Sequence, residues 1–167
     1  MRTFTNNLWM PAVSITRPAN TTTYATGDAV GAAAGSRLSF VVPHPHGLVK
    51  SARLWKSSTG TTADDFRLLL FTKQPTNNPV DNAAPTTSFI DIADAGSYVG
   101  SIDFETIDHT LAAGITYVGQ DYVPSTGIPF HLGGTGHANV LFGILTVVGN
   151  YDPGSAEVFT ISLQIDQ

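Results

Sequence analysis

The sequence predicts an all-β, single-domain β-sandwich, closed in a jelly-roll-like manner, with long Pro/Gly/Thr-rich loops and an N-terminal arm. Three observations carry this. Short runs of residues alternate apolar and polar with period two, the mark of strands with one dry and one wet face. Clusters of Gly, Pro, Asn and Thr separate these runs. Charged residues make up 13% of the 167-residue chain, about half the usual share, whereas surface helices normally carry Glu and Lys on their wet side.

Residues 1–11 read as an arm and residues 12–167 as the sandwich domain. Phe4, Leu8, Trp9 and Met10 place apolar side chains ahead of the first clear strand. Such an arm either packs across its own domain or reaches an adjacent subunit, and these four residues are the candidate protein contacts. The first strand falls at 12–17, followed by a Pro/Asn/Thr turn and a second short strand ending at the Gly27-Asp28 corner. Leu38, Phe40 and Val42 share one face of the next strand, and another strand covers 48–56. Phe66 to Phe71 is apolar on both faces and belongs in the middle of a sheet. Strands follow at 97–105 and 115–119. Residues 140–148 are apolar almost throughout; β-branched content, Gly143 and short length favour a central strand over a buried helical turn. Phe159, Ile161, Leu163 and Ile165 alternate with polar residues in the last strand. About eight short strands make a sandwich, and the jelly roll is the commonest way to close that number.

Three polar connections interrupt the pattern: Ser57–Asp65, Gln74–Thr87 and Gln120–Asn139. The last contains Pro124, Pro129 and the run Gly133-Gly134-Thr135-Gly136. Connections this long are usually functional, or are ordered against a neighbour.

A net charge of −5, with eight scattered Lys and Arg residues, argues against nucleic acid as a partner, because phosphate binding needs clustered cations. There is no cysteine, hence no disulfide and no thiolate metal site. No signal-like apolar run opens the sequence and no stretch is long and apolar enough for a membrane helix. The chain is therefore expected to be made in the cytoplasm, without membrane partners.

The residues that bear chemistry are few. His44-Pro45-His46 places two imidazoles at i and i+2, half of a zinc or nickel site. A third ligand would have to come from His109, His131, His137 or an Asp. The flanking Pro43 and Pro45 favour the plainer reading, a rigid strand end. Asp91 and Asp94 lack the spacing of a calcium loop, with Ile102 where a Glu is required. Asp64-Asp65 reads as a solvated loop tip. The two glutamates, Glu105 and Glu157, show no spacing that suggests a glycosidase pair. No Gly-x-Ser-x-Gly elbow occurs, and the Gly133–Gly136 run lacks the Lys of a phosphate loop. Asn20-Thr21-Thr22 reads as a turn. Trp9, Trp55, Tyr98, Tyr117, Tyr122 and Tyr151 are candidates for a sugar-stacking surface, although core packing is the commoner use of such rings. No catalytic residue, cofactor site or metal site is assigned, and an enzyme is not expected.

Three segments in order carry a resemblance: Ile15 to Gly31; Phe66 to Phe71 with Pro75 and Asp81-Asn82-Ala83-Ala84; and Tyr151-Asp152-Pro153 through Ala156-Glu157-Val158-Phe159-Thr160 to the end. Together they resemble small virion structural proteins of tailed bacteriophages. The longer 57–65 loop and the His44–His46 segment depart from that pattern. The resemblance implies a capsid decoration or cement protein on the virion surface, binding the major capsid protein and itself as a dimer or trimer, without catalysis. The competing implication is a tail-fibre or receptor-binding module that recognises host glycans.

Overall fold

The computed structural model describes residues 8–57, 65–83, 96–104, 109–112, 115–120, 127–133 and 139–166. Twelve strands build it: β1 (Leu8–Trp9), β2 (Val13–Thr16), β3 (Ala29–Val30), β4 (Arg37–Val41), β5 (His46–Lys56), β6 (Asp65–Phe71), β7 (Tyr98–Phe104), β8 (His109–Ala112), β9 (Ile115–Gln120), β10 (Ile128–His131), β11 (Val140–Val148) and β12 (Val158–Asp166). There is no helix among the described residues.

The strands form two antiparallel sheets, one of seven strands and one of five. In the large sheet β12 is central, with β1 and β2 along one side and β5 along the other. The far side of β5 takes β10 against its first half and β9 against its second, and β8 lies beyond β9. In the small sheet β11 is central, with β3 and β4 on one side, β6 on the other, and β7 beyond β6. With β1, β3 and the β8–β9 hairpin set aside, eight strands remain. They run β2-β12-β5-β10 in one sheet and β4-β11-β6-β7 in the other. In chain order these are first, eighth, third and sixth, then second, seventh, fourth and fifth. That is the strand order of a jelly roll built from two Greek keys.

Period-two alternation accounts for the packing between the sheets. Phe159, Ile161, Leu163 and Ile165 of β12 are fully buried, as are Phe40 of β4 and Phe66, Leu68 and Leu70 of β6. The other face of β6 is apolar only toward its end, since Arg67 on that face is exposed and pairs with Asp103. There Phe71, with Leu69 packed alongside, joins Ala29, Ile144, Tyr98 and Phe142 in a second, smaller cluster. Gly143 of β11 faces Phe40 and Leu68, and a Cβ there would lie 3.0 Å from both side chains. The missing side chain lets two large neighbours meet over the middle of the strand.

Two sequence expectations change. The Gln120–Asn139 connection contains a strand, β10, in which Ile128 and Phe130 point inward while Pro129 and His131 are exposed. Pro129 is tolerated because β10 pairs with β5 alone, so its missing N–H falls on an edge strand. The short strand expected before the Gly27-Asp28 corner is a single bridge, Tyr24 to Tyr151, and β3 comes after the corner.

Candidate functional site

At one end of the sandwich the alternating strands exchange apolar side chains for charged ones. Ile15 is buried on β2 and Arg17 follows two positions on; Ala52 and Leu54 on β5 lead to Lys56; Glu157 lies two positions before Phe159 of β12. Each charge therefore continues the inward phase of its strand. Arg17, Lys56 and Glu157 are at most 3% exposed, so each needs a partner to offset its lost hydration.

The Arg17 guanidinium spreads its donors over four acceptors. Nε donates to the Tyr24 hydroxyl, Nη1 to the Gly154 carbonyl at 3.0 Å, and Nη2 to Asn20 Oδ1 at 3.2 Å and Asp81 Oδ2 at 3.3 Å. Tyr24 in turn donates to Asp81 Oδ1, which also accepts the Gly31 N–H at 3.1 Å. Local chain chemistry sets this up. Pro18 follows β2, and the Asn20 side chain accepts the Thr22 N–H at 3.3 Å, closing the turn that brings Tyr24 back over Arg17.

A second chain of the same kind lies beside it. Lys56 Nζ donates to the Tyr151 hydroxyl at 3.2 Å, and that hydroxyl donates to Glu157 Oε2. Glu157 Oε1 accepts no hydrogen bond and faces the Lys56 ammonium at 4.0 Å. The two tyrosine rings are 5.8 Å apart, and Phe66 meets Tyr151 edge-on at 5.2 Å. The cluster is thus two cation–tyrosine–carboxylate relays, with one positive and one negative residue in each. Burial pushes both tyrosine hydroxyls far above the ordinary phenol range, and their carboxylate neighbours add to the shift. Burial likewise raises Glu157, against the opposing hydrogen bond from Tyr151 and the charge of Lys56.

Chemically this is a latch. Its donors and acceptors are directed at one another, and Glu157 is 1% exposed, out of reach of a sugar or a water nucleophile. Its members come from all three segments singled out in the sequence: Arg17 and Tyr24 from 15–31, Asp81 from the second, Tyr151 and Glu157 from the C-terminal one. Lys56 joins from outside them.

The 74–83 connection is ordered against this chain's own strands. Asn78 Oδ1 accepts the N–H groups of Ser36 and Arg37 at 3.0 and 3.1 Å, and its Nδ2 donates to the Ala34 carbonyl at 3.1 Å. Beside it an open pocket of about 350 Å³ lies between Arg37, Ser39, Gln74, Asn78 and Phe142. Arg37 there donates to the Pro75 carbonyl at 3.3 Å.

The arm residues divide. Leu8 and Trp9 pair with Ile165 and Gln164 of β12. Leu8 is 53% exposed while Met10 is buried in the main core. The Trp9 ring lies under the Arg53 guanidinium at 4.0 Å. Phe4 lies outside the described residues. Of the proposed stacking aromatics, Tyr151 is fully buried, Tyr98 packs on the small sheet, and Trp9 and Trp55 are half-buried in the large one. Tyr122 lies outside the described residues. His46 stands directly across from His131 in the β5–β10 ladder. Among the described residues no three His, Cys, Asp or Glu side chains gather closely enough to hold a metal ion. Asp64, Asp91, Asp94, Glu105 and His137 fall outside the described residues.

Comparison with known proteins adds little. No protein family matches the sequence, and no curated protein matches it. Among solved structures, the chain is similar to a chain of the full particle of Israeli acute paralysis virus heated to 63 degrees. Identity is 11%, the match covers 98% of this chain and 72% of that one, and the TM-score is 0.35. A chain of the native virion of Kashmir bee virus at acidic pH matches at 10% identity over 98% of this chain and 71% of that one, TM-score 0.33. One from Turnip Yellow Mosaic Virus matches at 10% over 95% and 93%, TM-score 0.26. All three come from virus particles. The sandwich itself is established by the strand pairings.

Proposed function

We propose that this chain is a virion structural protein of the decoration or cement type, which binds the outside of a mature capsid and stabilises it without catalysis. The observation that carries the reading is the latch. The three segments that resemble tailed-phage virion proteins are far apart in sequence, yet they converge on one buried charge network. What they have in common is a place in the fold and not in a reaction centre, which supports a structural role.

A protein that binds only the expanded lattice shifts the shell toward that state by its differential binding energy, repeated at every site. Such a protein needs a stiff body and contact surface, and no reaction centre. Of the described arm residues, Leu8 offers an exposed apolar side chain for the major capsid protein or a second copy of this chain. Trp9 and Met10 are engaged within the fold, which narrows the contact surface expected from the arm.

One feature favours the second reading, a tail-fibre module for host glycans. Trp55 is half-buried on the large sheet, and aromatic rings at a sheet surface suit sugar rings. Arg53 already covers one face of Trp9, which weakens the case for a two-ring platform.

Copy number separates the readings. Purified virions carrying this protein are analysed by quantitative mass spectrometry against the major capsid protein. Hundreds of copies per particle are expected for a cement protein. A few to some tens would move the protein to the tail or a vertex, and absence from particles would overturn the virion role.

A further inference from the structure

The opposition of His46 and His131 has a geometric detail that the ladder fixes. The Leu132 N–H donates to the Pro45 carbonyl at 2.6 Å, so Pro45 and Leu132 occupy a hydrogen-bonded rung. Rungs alternate along an antiparallel pair, and the next one, His46 with His131, is therefore non-hydrogen-bonded. Side chains approach most closely at such rungs, with Cβ atoms about 4.5–5.5 Å apart. Both histidines are exposed on the same outer face, because the adjacent rung pairs Gly47 with the buried Phe130.

The register is held firmly. A Cβ at Gly47 would lie 2.9 Å from the Asp166 carbonyl oxygen and 3.2 Å from Phe130 Cζ. Phe130 thus fills the space above a glycine that admits no side chain. A slip of β10 by one residue would turn His131 inward and Phe130 out while His46 stayed on the outer face.

We propose that His46 and His131 form a two-imidazole site for a borderline divalent cation of the zinc, nickel or copper class. Imidazole nitrogens bind such ions at about 2.0–2.1 Å, and tetrahedral geometry asks for an N···N separation of roughly 3.3 Å. Two side chains rising from one close rung span that distance. Water, or a donor from another molecule, completes the coordination. The ion clips β10, an edge strand four residues long, to the long strand β5, and binding to the folded form raises stability by mass action. This site does not depend on the virion reading.

The test uses the full chain and Zn²⁺ alone, by calorimetric titration and thermal melting. A parallel Cu²⁺ spectrum counts the nitrogen donors. One ion per chain, two nitrogens and a raised melting temperature are expected. His46→Ala and His131→Ala are surface changes, and each should weaken binding by about a hundredfold, the gain lost when two ligands no longer act together. His44→Ala should bind as the parent does. Absence of binding, or binding unchanged in His131→Ala, overturns the proposal. So does loss of binding in His44→Ala with retention in His131→Ala, since that would make the site a local His44–His46 pair.

Discussion

Tyr24 is the residue on which the first relay turns, because its hydroxyl accepts from Arg17 and donates to Asp81 at once. Tyr24→Phe keeps the ring and its packing on Tyr151 but leaves two buried polar groups each short of a partner. A loss of about 1–3 kcal/mol is expected, read from urea denaturation. Glu157 makes a pH-dependent contribution with a definite sign. Its carboxyl is raised in the folded chain, so the native state holds the proton to higher pH than the unfolded state does. Its contribution is complete below the ordinary glutamate value of about 4.3. It declines as pH rises through the raised folded value. The urea midpoint of Glu157→Gln should lack this decline over the same range. The latch was only partly legible in the sequence. Arg17, Lys56 and Glu157 each extend the inward phase of an apolar strand, and that signal is readable from period two alone. Their pairing is not, since Arg17 lies 64 residues from Asp81 and Lys56 lies 95 from Tyr151.

β11 shows what an element needs beyond hydrophobicity. It is paired on both sides, and Gly143 at its centre admits Phe40 and Leu68 from the strands on either side. Gly143→Ala places a methyl group where both neighbours are already close, and overpacking of about 1–3 kcal/mol is expected, measured by thermal or urea unfolding. β4, β5 and β12 were legible because burial on one face leaves a repeating trace, and β6 and β11 because a short, nearly continuous apolar run marks a central strand. β1 and β3 are two residues each, too short to show any period. β10 was missed for a different reason. Its Ile-Pro-Phe-His sequence alternates correctly, but Pro129 reads as a break unless the strand is known to lie at an edge.

Across the whole molecule, partners in space are distant in sequence. β2 pairs with β12, β4 with β11, and β5 with β10. Folding therefore has to close long loops before the pairings stabilise anything. Refolding from urea is expected on a timescale of about milliseconds to seconds, as stopped-flow tryptophan fluorescence from Trp9 and Trp55 would record. Composition made the sandwich legible at this scale, because a chain so poor in charge has few ways to solvate helices. The pairing within the latch and the histidine rung stayed hidden for one reason: both exist only once segments distant in sequence lie side by side.

The central place of β12 carries a consequence for biosynthesis. Of the strands of the large sheet it emerges last from the ribosome, yet β2 and β5 both pair with it. About a hundred residues separate the end of β5 from the start of β12, so translation at about 5–20 residues per second leaves the β5 edge open for roughly 5–20 s, and the β2 edge for longer. During that interval the nascent chain presents unpaired, largely apolar strands to every neighbouring chain on the same message. Slow stretches of translation or chaperone engagement before residue 158 would bear directly on how much protein reaches the folded state.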